Sequence, residues 1–368
     1  MQLHPFRATL PKLEFVTSPE EFFNSVKEEY PDYAANGFFR RSEMAAFYIY
    51  RIQKAGRVFL GLVGCVDMKE TSPTTMVPHE KTLASKEQRQ IHLLLKRKAS
   101  VKPILLTYEA VDQINFLLQD LSKNAPQLRV EFSKEAQVHE IWAISDLETI
   151  DRLATLFKER VSTTYIADGH HRCATAYRLS KLNGNSPYRK TICALFPATD
   201  LEIHDFNRVI DAFSDCSPTF FMASLSQICE IDIVAQPYKP RRKHEMLMLV
   251  DEEWYILRWK EKVFKEMNYP STALDTQLLN DLILDQILGI NDVSNNPRIS
   301  YIEGPKGIDG LRKKVLQRKT NIGIALYPIQ AKELFALAEN HTVLPPKSTW
   351  FEPRLKNGLI NFQYNFNP

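Results

Sequence analysis

The feature of this sequence that most constrains its fold is a short segment that changes from strand to helix within a few residues. Residues 163–166 are β-branched or aromatic and predict a strand. The Asp-Gly pair that follows predicts a sharp turn, and residues 170–181 predict a helix that Asn183 and Gly184 end. Strands and helices alternate in this way over the first half of the chain, which predicts an α/β layer arrangement.

The first turn of this predicted helix carries an unusual set of charges. Asp168 is predicted to cap the helix, because its carboxylate can accept the free amides of the first turn. The positive end of a helix dipole disfavours cations, yet His170, His171 and Arg172 all lie there. Free amides, imidazoles and a guanidinium together suit a phosphate, so residues from Gly169 onward predict an anion site. The alternative interpretation is that the histidines are satisfied locally and Arg172 pairs with Asp168.

A second candidate site is the His-Glu-Lys-Thr sequence at residues 79–82, which follows a proline-bearing loop. Glu80 lies between an imidazole and an ammonium, and a carboxylate so placed can act as general base toward a hydroxyl. Lys81 is a candidate phosphate contact. The alternative interpretation is an ordinary first helical turn, where glutamate is favoured by the helix dipole.

Arg208 follows a predicted strand and could bind a carboxylate or a phosphate through its forked guanidinium. An exposed salt bridge to Asp205 or Asp211 is the alternative. His204, together with the two histidines of the turn, raises the further alternative of a metal site. No H-x-x-E-H or H-E-x-x-H spacing supports that alternative, so it is the weaker hypothesis.

Near the C-terminus, Lys347, Ser348 and Thr349 follow two consecutive prolines. The prolines stiffen the chain, so the ammonium and the two hydroxyls would be presented at fixed geometry. Two aromatic residues follow at once and are expected to anchor the segment by burial. We predict that this segment closes the site over a phosphate; a surface tail held by two aromatics is the alternative.

Length and composition indicate an ordinary folded protein with two domains or one large domain. The chain has 368 residues, of which 44% are hydrophobic and 25% charged. The sequence turns polar around residues 212–218, so the predicted domains are 1–213, which would bind nucleotide or phosphate, and 214–368, an α+β domain. The tail at residues 344–362 of the second domain is expected to complete the site of the first.

Charge and cysteine usage exclude several classes of function. The formal charge of +3 is too small to predict binding to nucleic acid. No apolar run approaches the roughly 20 residues of a membrane span, and the N-terminus has no signal-peptide core, so no membrane association is expected. The five cysteines are scattered without a C-x-x-C pair, which predicts a reduced, cytoplasmic protein.

The Asp-Gly-His-His-Arg sequence at residues 168–172 resembles the signature of the ParB/sulfiredoxin-like superfamily, which includes free-serine kinases, CTP-binding partition proteins and sulfiredoxin. The whole chain resembles a large bacterial family that carries domain of unknown function 1015. The stretches that support the family are 5–8, 79–82, 195–197, 207–209, 287–290 and 345–353. A Pro-Pro-Tyr-Asp-like segment is expected before residue 40 and is missing, so a role of that segment does not carry over.

The resemblance implies a ParB/sulfiredoxin-like core with a C-terminal α+β extension. It also implies a nucleotide-dependent phosphotransferase that acts on a small hydroxylated metabolite, with free serine as the leading candidate. In this hypothesis Glu80 takes the hydroxyl proton, while His170, His171 and Arg172 neutralise the phosphoryl group. Asp168 would hold Mg²⁺, with ATP or ADP as the nucleotide.

Three rival hypotheses remain open at this stage. The first is a non-catalytic module that binds a nucleotide or a phosphate and acts as a regulatory switch. The second is a histidine-based metal hydrolase. The third is sulfiredoxin-like chemistry, which needs a reactive cysteine; Cys173 follows the motif but is predicted to face the helix core and to be inert. The kinase hypothesis, unlike the switch hypothesis, requires that Glu80 lies within reach of the pocket formed by residues 168–172.

Overall fold

The computed structural model describes residues 1–181, 186–270 and 272–364. The predicted helix end at Asn183 and Gly184 lies outside these residues. The chain divides into two compact units. The first comprises Met1–Glu202, Phe335–Val343 and the segment from Pro353 onward, and the second comprises Ile203–Leu334 and Leu344–Glu352.

Strands and helices are both abundant. The strands, in chain order, are β1 Thr9–Pro11, β2 Phe39–Arg41, β3 Phe47–Lys54, β4 Arg57–Asp67, β5 Met76–Val77, β6 Ala99–Ser100, β7 Ile104–Tyr108, β8 Leu128–Phe132, β9 Gln137–Ile144, β10 Thr164–Asp168, β11 Lys190–Pro197, β12 Glu202–His204, β13 Phe206–Asp211, β14 Cys229–Ile233, β15 Glu245–Val250, β16 Glu253–Trp259, β17 Ile299–Glu303, β18 Asn321–Leu326, β19 Trp350–Glu352 and β20 Phe362–Gln363. The α-helices are α1 Pro19–Ala35, α2 Ala84–Arg97, α3 Asp112–Leu121, α4 Leu147–Arg160, α5 His170–Ser180, α6 Pro218–Ile228, α7 Glu261–Lys265, α8 Asp275–Leu278, α9 Gly307–Val315 and α10 Ala331–Glu339. A π-helix, Leu279–Ile287, continues directly from α8.

The first unit is built on a mixed sheet with the strand order β5-β10-β7-β11-β4-β3-β9-β8. The pairs β5–β10 and β7–β11 are parallel, and the other neighbours are antiparallel. Strand β10 ends at Asp168, and α5 begins two residues later. The predicted mixed α/β class is therefore confirmed, whereas the narrower ParB/sulfiredoxin-like assignment stays a prediction.

Local signals in the sequence account for several elements of this unit. The hairpin of β3 and β4 turns at Ala55 and Gly56, which both have positive φ, as a tight two-residue turn requires. Ser18 caps α1 by accepting a hydrogen bond from the backbone N–H of Glu21 at 3.4 Å. Helix α1 extends from Pro19, at its first helical position, to Ala35.

The second unit contains an antiparallel sheet with the order β14-β16-β15-β18-β13-β17. The predicted domain boundary between residues 213 and 214 lies inside this unit, because β13 pairs with β17 and β18. Strands β15 and β16 form a hairpin, and its turn contains Asp251 and Glu252 with positive φ. Neither α6 nor β14 was predicted from the sequence.

Each unit has a hydrophobic core of its own. In the first unit, buried side chains of β3, β4, β7 and β11 pack with those of α3 and α4. In the second, side chains of α6 and the π-helix pack against one face of the sheet. Of the helices within the described residues, none combines the length and the apolar character needed to cross a membrane.

Candidate functional site

The candidate site is the turn that joins β10 to α5 in the first unit. Gly169 forms this turn with a φ of 101°, in a region that side chains other than glycine rarely adopt. A Cβ atom on Gly169 would lie 2.6 Å from Nη2 of Arg172, so a larger residue would displace the Arg172 guanidinium. The backbone conformation therefore favours the glycine of the Asp-Gly-His-His-Arg sequence, and a side chain there would also move Arg172.

Asp168 is surrounded by cations rather than bound to the helix amides. One carboxylate oxygen, Oδ2, lies 2.9 Å from Nη2 of Arg172 and 3.5 Å from Nζ of Lys102. The other, Oδ1, lies 2.8 Å from Nη1 of Arg354. The predicted N-cap role is wrong: Gly169 occupies the cap position, and α5 has no side-chain cap. The cause is electrostatic, since three cations attract the carboxylate more strongly than neutral amides do.

These three cations determine how Asp168 ionises. Burial would raise the pKa of the carboxyl, but the charges of Lys102, Arg172 and Arg354 outweigh burial and hold the pKa well below its ordinary value. Burial also lowers the pKa of Lys102 to about 8, although Asp168 opposes that shift. The cluster contains one negative and three positive groups at neutral pH, and it therefore favours the approach of an anion.

Glu80 lies beside the start of α5. Its Oε2 is 3.7 Å from Nδ1 of His170, and the backbone N–H of His79 donates to Nε2 of His170 at 3.4 Å. Because Nε2 accepts, the ring proton of a neutral His170 is on Nδ1 and is directed to the Glu80 side. Burial lowers the pKa of His170 to about 4, so the ring is neutral at physiological pH. Glu80 precedes α2, which begins at Ala84, so it is not in a first helical turn.

The first turn of α5 also contains two polar atoms whose hydrogen-bonding capacity is not used. Nδ1 of His171 and Nε of Arg172 are buried and have no hydrogen-bond partner among the described residues. Burial, with a contribution from the charge of Lys86, lowers the pKa of His171. Both atoms can donate to a ligand oxygen, and they lie in the turn where the backbone N–H groups are not used by the helix.

The other predicted site residues are placed differently. Lys81 is exposed in the segment before α2. Arg208 is fully buried in the second unit, where Nη1 donates to the Phe206 carbonyl oxygen at 3.0 Å, so the predicted exposed salt bridge is wrong. Lys347 lies over the Phe206 ring at 4.8 Å.

Ser348 and Thr349 are buried in the second unit. The hydroxyl of Ser348 donates to the Pro345 carbonyl oxygen at 2.7 Å, a contact that stabilises the turn after the two prolines. Binding of a phosphate by residues 347–349 stays a prediction.

The residues that sequence reasoning missed are Lys102 and Arg354. Lys102 precedes β7, and Arg354 lies 186 residues after Asp168 in the chain. No local pattern marks either residue, because a cation in a loop is usually an exposed surface group. Only the fold brings them to Asp168.

The metal predictions receive no support from the side-chain geometry. Mg²⁺ needs oxygen ligands that are free to coordinate it. Both oxygens of Asp168 instead contact cations, so this carboxylate does not fit the role of a magnesium ligand. Within the described ranges, no group of three or more His, Cys, Asp and Glu side chains could hold a metal ion.

Cys173 lies on α5 with its Sγ 3.4 Å from Sδ of Met76. Burial raises the pKa of its thiol to about 12, so the thiol is protonated and unreactive at neutral pH. This agrees with the predicted inert role and argues against sulfiredoxin-like chemistry.

The fold and the site together define a mixed α/β protein with a cation-rich turn between a strand and a helix. The chain belongs to the family described as Protein of unknown function (DUF1015), which matches residues 6–277. No curated protein matches the chain significantly.

Solved structures resemble the chain at low identity. SbnI with a C-terminal truncation, from Staphylococcus aureus, has a TM-score of 0.42 and 11% identity, with 80% of this chain and 85% of that chain covered. A free serine kinase mutant in complex with ADP has a TM-score of 0.41 and 12% identity, with coverage of 84% and 94%. A free serine kinase mutant in complex with AMP has a TM-score of 0.40 and 11% identity, with coverage of 82% and 90%.

Proposed function

We propose that this protein is a cytoplasmic, nucleotide-dependent phosphotransferase that acts on a hydroxyl group of a small metabolite. The observation that carries the proposal is the placement of the Glu80 carboxylate 3.7 Å from His170, at the start of a helix whose first turn holds unpartnered donors. A base and a phosphate-binding turn side by side are what transfer to an alcohol requires.

The proposed reaction needs few protein groups. The hydroxyl oxygen of the substrate forms a bond to the terminal phosphorus of ATP, and its proton passes to Glu80. The bond from that phosphorus to the bridging oxygen breaks, and its electron pair leaves with ADP. With ADP as the donor, AMP would leave instead.

The first turn of α5 would stabilise the charge that spreads over the phosphoryl oxygens. Its backbone N–H groups, His171 Nδ1 and Arg172 Nε can all donate hydrogen bonds to those oxygens. His170 is neutral and would orient Glu80 rather than supply charge. Since Asp168 does not fit a magnesium ligand, no step is assigned to Mg²⁺.

Free serine is our candidate acceptor because of the sequence resemblance to free-serine kinases. A direct assay of serine against other small alcohols tests this choice of acceptor.

A switch without chemistry is the second candidate function, and one contact favours it. Arg172 is bound to Asp168 at 2.9 Å, as the alternative interpretation of the sequence predicted. A ligand phosphate would compete with Asp168 for this guanidinium, and such competition is a common basis for ligand-dependent switching. Turnover distinguishes the two functions.

The test combines nucleotide binding with turnover. A thermal-shift series with ATP, ADP, CTP and pyrophosphate, each with and without Mg²⁺, should show concentration-dependent stabilisation by at least one nucleotide. The shift should be much smaller in Arg172→Ala. With serine and the stabilising nucleotide, wild type should form a phosphate ester, and Glu80→Gln should reduce the rate by roughly 100- to 10,000-fold.

Glu148→Gln is the matched control, because Glu148 is exposed on α4 and should leave turnover unchanged. Binding of a nucleotide without any phosphate ester, with serine or other small alcohols, would favour the switch. The absence of a shift with every nucleotide would contradict both functions.

A further inference from the structure

A second feature of the first unit is a cavity of about 210 Å³ between α2 and α5. Its charged lining residues are Lys27, Arg97, Lys102 and Arg172, and none of the described residues that line it is acidic. Only two of these four, Lys102 and Arg172, touch Asp168. Lys27 on α1 and Arg97 on α2 add positive charge that the Asp168 cluster does not use.

The two helices hold Arg97 at the cavity. Its Nε donates to the Leu93 carbonyl oxygen at 2.9 Å, and its Nη1 donates to the Lys27 carbonyl oxygen at 3.2 Å. Burial lowers the pKa of Arg97 to about 10, Glu28 opposes that shift, and Arg172 contributes further lowering. Like charges are therefore held close together, with Asp168 compensating part of the charge of Lys102 and Arg172, and Glu28 part of that of Arg97. An anion in the cavity would add to this compensation.

Neutral polar side chains complete the lining. These residues are Thr175 on α5, Thr191 on β11, Ser100, Gln90 and Asn357. The Thr175 hydroxyl also donates to the Glu87 carbonyl oxygen at 3.5 Å. Polar side chains beside guanidinium and ammonium groups suit the several acceptor oxygens of a phosphoryl group.

We propose that this cavity binds a small phosphoryl anion, either inorganic phosphate or pyrophosphate or a phosphomonoester metabolite. The inference goes beyond the proposed function, because Lys27 and Arg97 take no part in that function. Arg172 is shared, since it lines the cavity and is also assigned to the phosphoryl group of the proposed reaction. An anion in the cavity would draw Lys102 and Arg172 away from Asp168. Its occupancy would thus be coupled to the cation cluster at the start of α5.

The test is calorimetric titration of the full chain at low ionic strength with phosphate, pyrophosphate and glycerol 3-phosphate. Arg97→Gln should weaken binding of the preferred anion by roughly 10- to 100-fold, the loss expected for one hydrogen-bonded charge. Lys27→Gln tests the same site through a half-buried residue on another helix, and circular dichroism verifies that each variant is folded. Lys96→Gln, an exposed lysine adjacent to Arg97, is the matched control and should bind as wild type does.

The outcomes separate this inference from the proposed function. Binding that is lost in Arg97→Gln and Lys27→Gln but kept in Glu80→Gln and His171→Ala supports the cavity, whether or not the protein has kinase activity. Tighter binding of glycerol 3-phosphate than of pyrophosphate identifies a metabolite as the ligand, and the reverse order identifies an inorganic anion. Absence of binding to wild type overturns the inference, as does binding that only His171→Ala removes.

Discussion

Asp168 in the first unit and Asp205 in the second are a natural pair for comparison, since each is an aspartate close to an arginine of its own unit. The pKa of Asp168 is lowered, whereas burial raises the pKa of Asp205, and the Leu326 N–H and Arg208 only partly oppose that rise. Asp168 has three cations within 3.5 Å, but the hydrogen bond of Asp205 is to the neutral Leu326 N–H at 3.2 Å.

The comparison teaches that the number of opposed charges decides the sign of the shift. The three cations in contact with Asp168 overcome the desolvation of its carboxylate, whereas Arg208 and the weaker influence of Lys239 do not overcome the desolvation of Asp205. Arg208 reflects the same imbalance, because it is fully buried and its Nε and Nη2 have no hydrogen-bond partner in the described part of the chain. In the first unit, the single carboxylate of Asp168 therefore contacts more cations than it can neutralise. In the second unit, the charges of Asp205 and Arg208 only partly compensate each other.

The largest expected effect is that of Asp168→Asn. This change leaves Lys102, Arg172 and Arg354 without their carboxylate, and it should lower the free energy of unfolding by about 2 kcal/mol at pH 7, less than for a fully buried ionic group because Asp168 is a quarter exposed. Urea denaturation followed by tryptophan fluorescence measures it. Because the folded pKa of Asp168 is lowered, its contribution is complete above the ordinary value of 3.8 and is lost as the pH falls toward the folded pKa.

The difference between wild type and Asp168→Asn should therefore shrink below about pH 4. A difference that stays constant down to pH 2 would show that the substitution acts through packing rather than through charge. Denaturation at pH 7, 4, 3 and 2 is sufficient to decide.

Asp205→Asn should lower the free energy of unfolding by about 1 kcal/mol at pH 7. This loss is smaller than that of Asp168→Asn, since the amide oxygen can still accept from the Leu326 N–H. The pH dependence should have the opposite sign. The folded pKa of Asp205 is raised, so protonation favours the folded state, and the advantage of wild type should grow as the pH falls through that pKa. A loss of stability as large as that of Asp168→Asn would show that the number of nearby cations does not determine how much each aspartate contributes.

The smallest effect is expected for Arg354→Gln. It removes one of three cations from Asp168, and the pair is about a third exposed, so the free energy of unfolding should fall by about 0.5–1 kcal/mol. The carboxyl pKa of Asp168 should rise, which a ¹³C NMR titration measures directly. Lys123→Gln, which removes an exposed partner of Asp120, is the control and should not move the Asp168 titration. No change in Arg354→Gln would mean that Lys102 and Arg172 alone set the pKa.

Much of the fold follows from local sequence. The β3–β4 hairpin and the capping box of α1 were predictable because each depends on residues within one turn of the chain. Helix α4, Leu147–Arg160, also begins at a local signal, since Asp146 caps it by accepting from the Thr149 N–H at 2.8 Å. Helix α6 was missed although Ser217 caps it, because the polar residues before it were interpreted as a domain boundary.

The candidate site was predicted only in part. The strand, the glycine turn and the helix were all apparent, and Glu80 was nominated beside them. The role of Asp168 was wrong because an N-cap is inferred from neighbours in sequence, and here Lys102 and Arg354 compete for its carboxylate from distant segments. The charged lining of the cavity was likewise not apparent, since Lys27 and Arg97 look like ordinary helix-surface cations.

The amino-acid sequence by itself determined the strand–turn–helix segment, because backbone conformation at Gly169 and the pattern of β-branched residues are local properties. Only the tertiary structure decided which charges share Asp168 and which of them face the cavity. Coulomb interactions depend on distance in space and on burial, and neither is encoded by the spacing of Lys27, Lys102 and Arg354 along the chain.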